Sequence, residues 1–342
     1  MHRYILAVFF SFFFVKSSTA QTFKNDSVKL FLDKSIEIIK SNSIHAENID
    51  SVKSVLYEKS RNLATIDEVA PLFEEVFKSL NDYHGGLKYK GKTYGWSKKS
   101  SYVNPYLKAK LRTETKVNSQ LIDGRYGYIR IPGNNDFGFK KVDSIANDIV
   151  SNINLIDSKN IKGWIVDLRV NTGGNMYPIM LALKEFIGND VIFGGFRNAQ
   201  NKSTGSWEIK GNRLLIDEIL LERKSRLNYP DKTHTPIVIL TSGYTASAGE
   251  MTAISFIGRP NVYLVGEPTA NYTTAVQGFE IGKAAAINLS TDYVIDRNHK
   301  IYKNSIVPDF EILNGDNFEN IDKDAKIRKA LKLFKASKNW VH

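Results

Sequence analysis

The stretch Trp164-Ile165-Val166-Asp167-Leu168-Arg169-Val170-Asn171-Thr172-Gly173-Gly174-Asn175 decides the fold. Trp164–Val170 reads as a strand. Ile165 and Val166 are apolar in succession, which marks a strand buried on both faces. It runs into two glycines, and an apolar segment at about 177–187 reads as the following helix. Glycines at that turn permit φ > 0 and leave backbone N–H groups open to a ligand. N–H groups at a helix start suit an anion or an oxyanion. A plain strand-to-helix turn accounts for the same pair.

The alternation continues on both sides. Tyr126–Ile131 is a strand bounded by Pro132-Gly133, and Val142, Ile145, Ala146, Ile149 and Ile153 form a helical stripe. Pro236–Thr241 is a second buried strand, followed by a helix over 247–257 and a strand at Val262–Val265. Such alternation predicts an α/β core with parallel strand pairs. Short strands are expected near 191–197 and 206–210, hairpin strands over 276–303, and a closing amphipathic helix carrying Ile327, Ala330, Leu331 and Phe334.

Upstream, residues 26 to about 82 read as helices. Val28, Leu32, Ser35 and Ile39 recur at helical spacing, as do Val52, Val55 and Leu56. A third helix opens at Thr65, with Glu68 completing a capping-box pattern. Val69, Phe73, Val76 and Leu80 make its stripe, which stops at Asn81-Asp82-Tyr83-His84-Gly85-Gly86. Residues 87–120 are polar and show no clear period. The expected organisation is a small helical N-terminal domain over 22–86 and an α/β domain over 87–342.

The first 20 residues are a separate object. Met1-His2-Arg3 is a basic start, Tyr4–Val15 is nearly all apolar, and Ser18-Thr19-Ala20 supplies small residues for cleavage. This is the pattern of a signal peptide cut before Gln21. Its apolar run is shorter than the ~20 residues of a typical spanning helix, and no later stretch is a candidate span. The expectation is an exported protein, periplasmic or extracellular.

Composition narrows the chemistry. The chain has 342 residues, no Cys and a formal charge of +11. Disulfides, thiol catalysis, iron–sulfur clusters, Cys-based zinc sites and a lipid anchor on Cys are therefore excluded. The basic residues are spread, with only short clusters such as Lys98-Lys99, which fits a basic surface better than a nucleic-acid interface. The sequence contains no phosphate-binding Gly-rich loop, no His-Glu-x-x-His and no dinucleotide fingerprint. No metal and no cofactor is expected.

Two further segments can carry chemistry. Thr241-Ser242-Gly243-Tyr244-Thr245-Ala246-Ser247-Ala248-Gly249-Glu250 follows a strand and opens a helix. Ser247 sits among small residues at the positive end of the helix dipole, which favours developing negative charge. Ser247 with Glu250 also fits a simple capping box. A Ser nucleophile needs a base, and His is the usual one. Of the six His, His84 alone is framed by glycines at the end of an apolar helix.

These segments resemble the S41 peptidases, the tail-specific (C-terminal processing) and tricorn-type serine proteases. Asp167-Leu168-Arg169 through Gly173-Gly174, then Thr245–Glu250, then Val265-Gly266-Glu267-Pro268-Thr269 come in that family's order, and Val307-Pro308-Asp309 looks like its closing element. The resemblance covers roughly 120 to 312. It implies a core similar to the ClpP and crotonase folds, a polypeptide substrate, Ser247 as nucleophile, and Ala248 with the Gly173-Gly174 turn as oxyanion donors. The tail-specific Lys position is Tyr272 here, and about forty residues between Gly86 and Tyr126 leave no room for a PDZ domain. Leu80-Asn81-Asp82-Tyr83-His84 fits the tricorn-type setting, so the resemblance favours His84 as base. A Ser–Lys enzyme using Lys283 and a non-catalytic binding protein are the alternatives. The acid that orients His84 is open, with Asp296 or Asp292 as candidates, and Glu267 reads as structural. An ordinary imidazole near pKa ~6.5 would make activity rise through roughly pH 6–7.

Overall fold

The computed structural model describes residues 23–97 and 104–336. The expected signal peptide and the Lys98-Lys99 pair lie outside the described residues. Two sheets organise the chain. One has the strand order 310–311, 262–266, 237–241, 163–167, 126–130, 118–122. All its neighbours are parallel except the antiparallel pair at the 118–122 edge.

Strand Gly163–Asp167 lies at the middle of this sheet and is buried throughout. Its alternating side chains serve two cores. Trp164 and Val166 face helices Val142–Ile156, Tyr177–Ile187 and Ala248–Phe256. Ile165 faces the other way, with Val238, Leu240 and Val265, onto Ile327, Ala330 and Phe334 of the C-terminal helix. That two-sided demand explains the continuous apolar run. It also forces Gly127 beside Trp164, because a Cβ there would sit 2.6 Å from the indole.

The second sheet is antiparallel and runs 92–94, 86–89, 285–296, 191–197, 203–210, 213–216, 219–221, with 274–282 and 301–302 also on 285–296. The N-terminal helices pack on it: Val28, Leu32, Phe73 and Phe77 share a core with Leu87, Ile287 and Leu289. The unreadable segment 87–120 is divided among a small hairpin, a one-and-a-half-turn helix Pro105–Lys110 and the edge strand Asn118–Ile122. Each piece is too short to show a period.

A buried ionic cluster joins the C-terminal helix to the parallel sheet. Arg169 pairs with Asp167, Asp316 and Asp324 at 2.6, 2.6 and 2.7 Å. Lys326 pairs with Asp316 at 2.7 Å and Glu267 at 3.0 Å. Asn104 donates to both Glu267 and Asp316. Glu267 is thus structural, as the sequence suggested. Removing Lys326 leaves the buried Glu267 without its cation and Asp316 with Arg169 alone, so Lys326→Ala is expected to lower the unfolding free energy by about 3–5 kcal/mol in urea titration. Lys90→Ala breaks an exposed pair with Asp67 and should leave the midpoint in place. Equal effects of the two would contradict this view of the cluster.

Candidate active site

Parallel pairing sets Asp167 beside Leu240, so the two following loops leave the same edge of the sheet. Side chains stitch them together. Thr245 Oγ1 donates to the Leu168 carbonyl at 2.9 Å, Ser242 Oγ to that of Arg169 at 2.6 Å, and the Ala246 N–H to that of Asn171 at 3.0 Å. Residues 171–175 therefore meet residues 245–249 face to face.

Ser247 stands at the start of helix Ala248–Phe256 with φ 50° and ψ −113°. That conformation is costly for any residue with a Cβ and has to be held by its surroundings. Glu250 does part of the holding. Its buried carboxylate accepts from the Ser247 N–H at 3.0 Å, the Asn271 N–H at 3.0 Å, the Tyr272 N–H at 2.7 Å and the Thr269 hydroxyl. Burial pushes its pKa up to about 7, against the pull of these donors. The Glu250 carboxylate of the capping-box pattern thus also holds the Ser247 turn.

The two glycines have different duties. Gly173 has φ +106° and its N–H already donates to Asn171 Oδ1 at 3.1 Å. A Cβ on it would lie 3.0 Å from the Ser247 Cβ, so glycine gives Ser247 clearance here. Gly174 has φ +112°, and a Cβ there would fall 1.7 Å from the Asn134 carbonyl oxygen. The Gly174 and Ala248 N–H groups find no acceptor among the described residues.

His84 lines the same cleft as Ser247, Gly174 and Ala248, in a space of about 830 Å3. Its ring packs edge-on against Tyr272, with centroids 5.0 Å apart. Tyr272 occupies the position where a lysine was weighed, and it backs the histidine instead. Lys283 is exposed in the turn of the 274–296 hairpin, outside the cleft lining. Burial pushes the His84 pKa down to about 4, although the Asp82 charge pulls it up. The expected rise of activity through pH 6–7 assumed an unperturbed ring, and desolvation moves it lower.

Neither acid weighed for orienting His84 reaches it. Asp296 accepts from Tyr302 Oη and from the N–H groups of Asn298 and Lys300, which closes a turn. Asp292 accepts from the Thr204 hydroxyl. The polar contacts of the ring lead elsewhere. His84 Nδ1 lies 2.9 Å from Thr274 Oγ1, which lies 3.1 Å from Ser290 Oγ, and that hydroxyl donates to Asp82 at 2.8 Å. Asp82 was visible in the Leu80–His84 motif. Thr274 and Ser290 carried no signal, because only the hairpin brings them beside residue 84.

Residues 125–312 match the model of Peptidase family S41. The chain is 28% identical over 265 residues to the nisin-resistance protein of Lactococcus lactis subsp. lactis, covering 77% of this chain and 76% of that protein. It is 25% identical over 195 residues to the carboxy-terminal processing protease CtpA of Bacillus subtilis (strain 168), covering 56% of this chain and 36% of that one. Among solved structures, a lipoprotein from Streptococcus agalactiae superposes with a TM-score of 0.66 at 22% identity, over 90% of this chain and 96% of that chain. The photosystem II D1 C-terminal processing protease gives 0.54 at 10% identity, over 84% and 93%. Both structures share the fold, and the family match spans more than half of the chain: this protein belongs to peptidase family S41.

Proposed function

We propose that this protein is an exported serine peptidase in which Ser247 is the nucleophile and His84 the general base. The observation that carries this reading is the left-handed backbone of Ser247 at a helix start, in a cleft that His84 also lines. Ser247 Oγ attacks a peptide carbonyl as its proton passes to His84 Nε2. The Gly174 and Ala248 N–H groups receive the oxyanion, helped by the positive end of the helix. The protonated imidazole then gives its proton to the leaving amine, and water releases the acyl group. Export rests on the signal-peptide pattern of residues 1–20, and a structural relative described as a lipoprotein is in keeping with it. No helix among the described residues is long and apolar enough to cross a membrane.

The cleft suits an extended peptide with an apolar side chain near the scissile bond. Phe137, Phe139, Met176, Phe196 and Met251 line it. Thr274, Ala275, Val276 and Gly278, from one strand of the hairpin, form another wall, against which a substrate strand can pair.

A fluorophosphonate probe should label the wild type at Ser247, located by peptide mass mapping, and should not label Ser247→Ala. A wild type that resists the probe and leaves unstructured peptides uncut would return the binding-protein alternative. Gly174→Ala should lower kcat/KM by at least about a hundredfold, because collision of the added Cβ with the Asn134 carbonyl displaces the Gly174 N–H from the oxyanion position. Full activity in that variant would remove Gly174 from the site.

The pH dependence has a definite sign. His84 must be neutral to accept a proton, so activity rises as the imidazolium deprotonates. With its pKa pushed down to about 4, the limb belonging to His84 lies near pH 4, to be matched to an NMR titration of the His84 ring. A separate limb near pH 7 that disappears in Glu250→Gln would belong to Glu250, whose pKa is pushed up to about 7. A ring titrating near the ordinary ~6.5 would show that burial does not govern this histidine.

A further inference from the structure

The hydroxyls of Thr274 and Ser290 stand between His84 and a carboxylate buried behind it. Asp82 is 1% exposed and Ser290 1% exposed. Asp82 follows the last N-terminal helix, and its N–H is anchored to the Phe77 carbonyl at 3.0 Å. Its carboxylate accepts from the N–H groups of Gly85 at 2.8 Å, Ser290 at 3.1 Å and His84 at 3.2 Å, besides the Ser290 hydroxyl. Thr274 and Ser290 come from opposite strands of the 274–296 hairpin. The pairing register shifts between Ala275 and Val276, where these two side chains meet. Such irregularities re-aim side chains and are frequent beside active sites.

We propose that Asp82 is the acid of this site, acting on His84 through Ser290 and Thr274, and that this chain fixes the imidazole as its Nδ1–H tautomer. The inference rests on the reading of His84 as the base and extends it to three positioning residues. Proton counting supplies the direction. An ionised carboxylate only accepts, so the single Ser290 O–H proton points at Asp82. Ser290 Oγ can then only accept from Thr274, which uses the single Thr274 proton. Thr274 Oγ1 is left as an acceptor, and the one remaining donor for the 2.9 Å contact is the His84 Nδ1–H. Reversing any link would set two lone pairs against each other or leave two protons in one contact.

This tautomer matters because the neutral ring carries one N–H. With the proton held on Nδ1, Nε2 bears the lone pair that takes the Ser247 proton. When the ring becomes cationic, the same chain brings the Asp82 charge to bear on it without a direct contact. Only the Ser247 proton moves. The backbone bonds to Asp82 give it a second duty, since they fix the turn that presents His84.

The test is nitrogen NMR of the His84 ring near neutral pH, together with kcat and KM on an unstructured peptide. The wild type is expected in the Nδ1–H form. Thr274→Val removes the acceptor, and the ring should shift toward the Nε2–H form. Its kcat should fall on the order of a hundredfold with little change in KM. Thr274→Ser should restore both the tautomer and kcat. Ser290→Ala leaves Thr274 free to reverse and should give a partial shift in both readouts. A wild-type ring in the Nε2–H form would overturn the proposal, as would an unmoved tautomer in Thr274→Val. Asp82→Asn is the most direct variant but disturbs the turn, so the two hydroxyl variants carry the decision. The tautomer is read without turnover. A chain confirmed by NMR in a protein that fails to react at Ser247 would therefore refute the peptidase reading alone. An active protein whose tautomer ignores Thr274 would refute the chain alone.

Discussion

The Glu250 carboxylate is the constraint on which the site depends. It is fully buried and pairs with no cation among the described residues, so hydrogen-bond donors alone oppose the effect of burial on its charged form. Those donors come from places otherwise separate. One is the amide of Ser247 and the others belong to Thr269, Asn271 and Tyr272 in the loop after strand Val262–Gly266. A single carboxylate thus clamps the start of helix Ala248–Phe256 to the loop whose Tyr272 ring backs His84. A backbone held at φ 50° persists only where its surroundings over-determine it, and this clamp is a large part of that determination.

The two halves of the site arrive from different architectures. Ser247 and the glycine turn come from neighbouring ends of a parallel sheet, whose register is set by two-sided burial of Trp164, Ile165 and Val166. His84 comes from the end of the N-terminal helices, and the antiparallel hairpin supplies its polar partners. Packing of those helices on Ile287 and Leu289 therefore bears on the cleft, because it decides where His84 stands. Burial of the imidazole lowers its basicity, while the Asp82 charge opposes that loss.

Much of this was legible in the chain, and the limits have physical causes. Strands with apolar runs and helices with regular stripes could be read because burial imposes a period: helix Tyr177–Ile187 falls where the pattern put it, while the strand expected over Trp164–Val170 spans Gly163–Asp167 and gives way to the turn at 169–170. The sheet of residues 203–221 was harder, since its last strands, Arg213–Ile216 and Ile219–Leu221, are short and partly exposed. At the site, Ser247, His84 and the glycine turn were found through local motifs. The division of labour between Gly173 and Gly174 was not, because it depends on Asn171 and Asn134 closing from other segments. The sequence offered Asp292 or Asp296 downstream; both are engaged with other groups, and the carboxylate linked to His84 through hydroxyls is Asp82, two residues before it. A carboxylate linked through two hydroxyls leaves no spacing rule, since Ser290 is 208 residues from Asp82 and Thr274 is 190 residues from His84 along the chain.

The most direct measurement of the central claim is a crystal structure of the protein with a peptide boronate or aldehyde bound. The account predicts a covalent bond from Ser247 Oγ to the inhibitor. It also predicts one inhibitor oxygen against the Gly174 and Ala248 N–H groups, and His84 Nε2 within hydrogen-bond reach of Ser247 Oγ. An inhibitor bonded elsewhere, or a Ser247 adduct with His84 turned away and a lysine in its place, would contradict it.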